Sequence, residues 1–192
     1  MQSNAHHEIA QTRRSQLHSR AQAFCDAFLD LSNNPPEKIL SDHFTHTGTP
    51  KITEHGPAWA SKRLPFLGRT FSGKAECLEY FSLLAKTLEF QPSADTFTSQ
   101  GSIVVDDRAS VNEGDNRSEP SGVANRPSTS GSMGVVSVKG KGTFKAVQTG
   151  KAWDEEFIWR LSEYDEDGGI GHWEIWADPL SAWVAVGGED VA

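Results

Sequence analysis

Apolar residues recur at helical spacing through the first part of the chain and at every second position after Glu89. Across residues 8–31, Leu17, Ala21, Phe24, Phe28 and Leu31 follow at alternating steps of four and three, the stripe of an amphipathic helix. Arg13, Arg14, Gln16 and Arg20 fall on its polar side, so its first turns are expected in solvent. The run Ser32-Asn33-Asn34-Pro35-Pro36 ends it, because proline cannot continue the hydrogen-bond ladder. Pro36 then suits the first turn of a short second helix over 37–44. Residues 45–73 hold Trp59, Leu64, Phe66, Leu67 and Phe71, too many apolar side chains for a linker. They are expected to cover one end of the core, with a brief strand at 52–55 and a helical turn near 58–62. A third helix over 74–88 follows Gly73, with Cys77, Phe81, Leu84 and Leu88 on its inner side.

The later alternation predicts strands over 90–99, 102–111, 135–149, 153–164 and 170–178. Asp165-Glu166-Asp167-Gly168-Gly169 is a hairpin turn between the last two. Gly140 and Gly142 point to a bulge or bend within the long strand. Residues 112–133 are polar and rich in Gly, Ser and Pro, and predict a disordered excursion from a hairpin. Residues 1–15 read as a flexible tail or an extension of the first helix, and 16–188 as a single domain. Three helices followed by a mostly antiparallel, curled sheet make an α+β fold.

Composition narrows the function classes. Eighteen Lys and Arg against 26 Asp and Glu leave a net charge of −8, which counts against a nucleic-acid binder. No apolar run approaches the roughly 20 residues that span a bilayer, and the opening residues lack the apolar stretch of a signal peptide. A cytoplasmic protein with no membrane partner is the expectation. Two cysteines, Cys25 and Cys77, on apolar helix stripes make neither a disulfide framework nor a zinc site. His43 and His46 have ligand-like spacing, with His55 nearby, but no third defined ligand completes a metal set. No phosphate-binding glycine loop and no serine nucleophile elbow occurs, so no cofactor is expected.

The element order, the run from Trp153 to Asp178 with its acidic-glycine turn, and Phe71-Ser72-Gly73 before the third helix resemble the nuclear transport factor two-like superfamily. Within it the chain is most similar to the SnoaL-like polyketide-cyclase branch. That resemblance implies a cone-shaped sheet wrapped around the helices, an internal hydrophobic pocket for a small hydrophobic molecule, and a homodimer formed across the sheet. It implies either a cofactor-independent isomerase, cyclase or dehydratase, or a binding module without chemistry.

Ile52-Thr53-Glu54 resembles the run that carries the general base of ketosteroid isomerases, which makes Glu54 the first catalytic candidate, with His55 as a relay. The helix that supplies those isomerases with an enolate-binding tyrosine holds Phe24 and Cys25 here, so steroid isomerisation is disfavoured. Asp178 matches a recurrent family acid and is also a turn-former before Pro179. The strand over 153–164 has two readings. Its alternation turns Trp153, Glu155, Phe157, Trp159 and Leu161 inward and makes Glu155 a pocket acid, whereas the family match turns Arg160 inward. The expected pocket lining is Phe24, Phe28, Trp59, Phe81, Phe157, Trp159, Trp173 and Ile175.

Overall fold

A computed structural model describes residues 2–97, 101–109 and 134–187 of the chain. Helix α1 (Gln2–Leu29) buries Leu17, Ala21, Phe24 and Phe28 of the expected stripe, and Cys25 beside them. Leu31 lies beyond its end and is 38 % exposed, because the backbone turns at Asp30, whose carbonyl accepts from Asn33 and Asn34 N–H. Helix α2 (Pro36–His43) starts on Pro36 and buries Ile39 and Leu40. Strand β1 (Lys51–Glu54) follows, then a 3-10 turn over Ala58–Lys62 as the sequence suggested. A short strand β2 (Thr70–Ser72), which sequence alone did not suggest, pairs antiparallel with β1. Two strands therefore precede helix α3 (Lys74–Thr87), rather than three helices preceding all strands.

The remaining strands are β3 (Leu88–Gln91), β4 (Ile103–Asp106), β5 (Val135–Ala146), β6 (Ala152–Ser162) and β7 (His172–Trp176). Strands β3 and β4 are shorter than the alternation predicted. Pro92, which has no N–H to donate, follows β3, and the Asp106 carboxylate ends β4 by accepting from Arg108 and Ala109 N–H. The expected excursion at 112–133 lies outside the described residues. The sheet runs β2-β1-β7-β6-β5-β3, with β4 also on β5, and is antiparallel except where β1 meets β7.

Strand β5 changes partners along its length. Its register with β6 is unbroken, so Gly140 and Gly142 form no bulge there. On the opposite edge β5 exchanges β4 for β3 at these residues, and both glycines make room for rings. A Cβ on Gly140 would stand 2.3 Å from the Phe157 ring, and one on Gly142 would stand 2.5 Å from Phe90. These close approaches depend on absent side chains.

The helices fill the concave side. Phe24 and Phe28 of α1 meet Trp159 of β6 and Trp173 of β7 with centroids 4.9–5.5 Å apart, edge-on except for the tilted Phe24–Trp159 pair. Tyr80 and Phe81 of α3 pack on Trp173 from the other side. Each such ring, once buried, contributes about 1.5–3 kcal/mol. The polar side of α1 is not simply solvated. Arg13, Gln16 and Arg20 donate to the carbonyls of Asp165, Glu166 and Asp167, clamping the turn between β6 and β7. Gly168 has φ +81° in that turn, where a Cβ is strained. A last helix, α4 (Pro179–Ala185), was not foreseen and covers one end of the sheet.

Candidate functional site

The pleat of the sheet sorts its side chains into two sets. Residues Ile52 and Glu54 of β1, Trp153 to Leu161 at alternate positions of β6, and Trp173 and Ile175 of β7 face the helices. Arg160 and Glu174 stand opposite each other in the ladder and pair on the outer face. The inward reading of the tryptophan side therefore holds, and the family match that turned Arg160 inward is one residue out of register.

Between sheet and helices lies a cavity of about 540 Å³. Phe28 of α1, Phe81 of α3, Phe157 and Trp159 of β6, and Trp173 and Ile175 of β7 line it. Phe90, Phe144 and Trp153 line the half nearer β5, and Pro179 and Ala182 of α4 close part of its border. Two expected lining residues are elsewhere. Phe24 is fully buried one layer behind, against Phe44 and the rings of Trp159 and Trp173. Trp59 is 54 % exposed, since the 3-10 turn directs it to the surface, where Trp183 of α4 meets it at 4.8 Å. Arg63 stacks on the same Trp183, tying the turn to α4.

Glu54 is the deepest carboxyl of the cavity. It ends β1 and is 7 % exposed. The Tyr80 hydroxyl donates to its Oε2 at 2.7 Å. Its Oε1 accepts no hydrogen bond among the described residues. Burial pushes its pKa up, the Tyr80 hydrogen bond pulls it partly back, and the charge of Glu155 adds to the rise, leaving it at about 7. Tyr80, fully enclosed and facing that carboxylate, is held well above an ordinary phenol.

Glu155 occupies the other half of the cavity, where Trp153 Nε1 donates to its Oε2 at 2.7 Å. Burial raises its pKa, and the charge of Asp178 raises it further against the opposing indole and Asp178 N–H hydrogen bonds. Asp178 borders the cavity but caps α4, accepting from Leu180 and Ser181 N–H and from the Ser181 hydroxyl. Burial pushes its carboxyl up, and these donors outweigh that push and hold it below the usual range.

His55 edges the cavity, but its imidazole does not serve Glu54. It stacks on Trp176 at 4.1 Å and bonds Glu174 at 3.1 Å on the outer face. Adjacent residues on a strand point to opposite sides, so the expected Glu54–His55 relay is not assembled. His43 is half-buried and packs edge-on against Phe24. Among the described residues no three His, Cys, Asp or Glu side chains converge on one point.

Tyr80 was missed as a site residue. It stands three positions after Cys77 and one before Phe81, inside the buried stripe of α3, and a buried tyrosine normally finds an acceptor. That signal was present. Its partner was not legible, because Glu54 is 26 residues away.

No protein-family model matches the chain, and no curated protein matches it by sequence. Solved structures do match. An NTF2-like protein from Burkholderia xenovorans LB400 superposes with a TM-score of 0.54 at 13 % identity, covering 90 % of this chain and 97 % of its own. A phenazine biosynthesis-related protein from Pseudomonas aeruginosa gives 0.51 at 12 % identity, covering 96 % and 94 %. The chain has the NTF2-like fold. TerC, co-crystallised with polyporic acid, gives 0.50 at 16 % identity, covering 87 % and 97 %. Identities this low carry the NTF2-like architecture and leave the chemistry to the residues. Among the described residues no helix is long and apolar enough to cross a membrane.

Proposed function

We propose that this NTF2-like chain holds a small hydrophobic molecule in its cavity, with Glu54 as the general base of a cofactor-independent isomerisation, cyclisation or dehydration. The observation that carries the reading is a single one: a buried carboxyl, raised to about 7, that lines an apolar cavity and is held by Tyr80. A group poised near neutrality both accepts a proton and returns it, which is the requirement for moving a proton beside a carbonyl. Tyr80 engages one oxygen and leaves Oε1 for the substrate. TerC, a structural neighbour, was co-crystallised with polyporic acid, which supports a ligand-holding role for a cavity in this fold.

A second reading, binding without turnover, is favoured by one feature. The single hydroxyl hydrogen of Tyr80 goes to Glu54, so that hydroxyl does not donate to an enolate oxygen. Native mass spectrometry of protein from its own cells identifies the ligand, and Glu54→Gln then separates the two readings. The base assignment expects turnover to fall at least ~100-fold with binding retained. Unchanged turnover removes the base assignment.

We also propose a homodimer through the outer face of the sheet. Ile158 and Trp176 stand opposite each other there, 49 % and 40 % exposed. Light scattering on Trp176→Glu should report a monomer where the parent protein reports a dimer.

A further inference from the structure

We propose that the ligand carries an acidic hydroxyl, phenolic or enolic, on a flat conjugated body, and that this hydroxyl donates to Glu54 Oε1. This rests on the cavity reading above and names the ligand group that meets its deepest carboxyl. Glu54 is only 7 % exposed, and its two oxygens differ. Oε2 accepts from the Tyr80 hydroxyl at 2.7 Å, which fixes the plane of the carboxyl. Oε1 has no partner among the described residues and is not sealed in the core, so it opens into the cavity. Leu67 and Ile175 stand beside Glu54 in the strand ladder, and Phe66 and Trp173 pack on Tyr80. The indole N–H of Trp173 also lacks a partner, but it is sealed among the core rings, out of a ligand's reach. None of these neighbours offers Oε1 a donor, so the ligand must bring one. The other carboxyls at the cavity border are engaged: Glu155 accepts from Trp153 Nε1, Asp178 caps α4, and Glu89 pairs with Lys145 at 3.8 Å.

A ligand that fills this end of the cavity displaces water from Oε1. One without a donor leaves a buried carboxylate oxygen unpaired and bears its full desolvation cost. A hydroxyl restores the bond, and a charge-assisted bond in an apolar space is stronger than the water contact it replaces. The number of donors matters as well. An ammonium group brings three to a single open oxygen and buries the other two unpaired. A phenol or enol brings one, and its acidity makes it a stronger donor than an aliphatic alcohol. The flat body suits the rest of the cavity, where Phe28 and Phe81 of the helices and Phe157 and Trp159 of the sheet supply ring surfaces.

Three probes with one bicyclic body, substituted at the same ring position, test this. Naphthol donates, methoxynaphthalene only accepts, and methylnaphthalene does neither. Their binding is read by calorimetry and tryptophan quenching, one pH unit above and one below the Glu54 pKa of about 7. Above it Glu54 is a carboxylate, and naphthol, itself still protonated, should bind at least ~10-fold more tightly than either of the others. Below it the protonated carboxyl is a weaker acceptor, and that advantage should shrink at least ~3-fold. Tyr80 of α3 and Glu155 of β6 are the titratable groups that act on Glu54, and Tyr80 stays protonated throughout. Glu54→Gln keeps a carbonyl oxygen for Tyr80 and turns its amide N–H toward the cavity. Naphthol should still bind this variant, but with its advantage and the pH dependence gone. Methylnaphthalene should stay within about twofold of the parent, which shows that the variant is folded. If Glu54→Gln binds no probe, the parent protein decides alone, and a naphthol advantage unchanged across the two pH values overturns the hydroxyl assignment. If methylnaphthalene binds and naphthol binds no more tightly, or if Glu54→Gln keeps their ratio, that assignment is overturned and the cavity reading stands. If none of the three binds the parent, both are overturned.

Discussion

Glu54 and Glu174 sit on neighbouring strands of the same sheet, and the two faces treat them in opposite ways. On the concave face, burial dominates and Glu54 and Glu155 are both pushed upward. On the convex face Glu174 is also partly buried, but Arg160, His172 and His55 surround it and hold it below its ordinary value. A second convex pair, Lys51 with Glu163 at 2.8 Å, ties β1 to the end of β6. The convex face therefore uses carboxylates as fixed charges that staple strands together. The concave face raises both Glu54 and Glu155, and Glu54, at about 7, can exchange protons near neutrality. Glu54 and His55 are adjacent in sequence, and a single pleat separates the two uses.

The contrast breaks most visibly at its aromatic floor. Trp173→Ala removes the fully buried ring that Phe24, Phe28, Tyr80, Phe81 and Trp159 all touch, and should cost about 3–5 kcal/mol in urea unfolding. Next comes the titration of Glu54. Its folded pKa, about 7, lies above the unfolded 4.5, so its protonated form favours the folded state. That stability is complete below 4.5 and is lost as pH rises through 7, about 3 kcal/mol in all. Glu54→Gln should flatten that part of the stability profile, whereas Tyr80→Phe should move the loss to higher pH, because the hydrogen bond it removes lowers the pKa. A profile identical in parent and Glu54→Gln proteins would place the titration elsewhere.

On the convex face the sign reverses. Glu174 is held below its ordinary value, so its contribution is present above 4.5 and disappears as pH falls through its folded pKa. Screening keeps Glu174→Gln to no more than about 1 kcal/mol, shrinking further in high salt. The smallest effect belongs to Lys139 and Glu156, which pair at 2.9 Å with side chains 60 % and 65 % exposed. Lys139→Ala should leave the unfolding midpoint within about 0.5 kcal/mol of the parent.

Much of the architecture was legible in local pattern. The stripe of α1, the 3-10 turn at Ala58–Lys62, the inward set Trp153, Phe157, Trp159 and Leu161, and the turn at Gly168 follow from periodicity and turn chemistry acting over a few residues. Strand β2 and helix α4 were not, since three and seven residues are too short to show a period. Resemblance placed Glu54 at a cavity but turned Arg160 the wrong way, and the His55 relay expected beside Glu54 fails because the pleat sends the two side chains apart.

Sequence by itself determined which faces were apolar, because alternation is a property of successive residues. Only the tertiary structure decided what each carboxyl became. Tyr80 reaches Glu54 across 26 residues, Trp159 and Trp173 meet through strand pairing, and Asp178 and Glu155 border one cavity. Desolvation and Coulomb energy depend on what surrounds a group in space, and those surroundings come into being only when distant segments close around it.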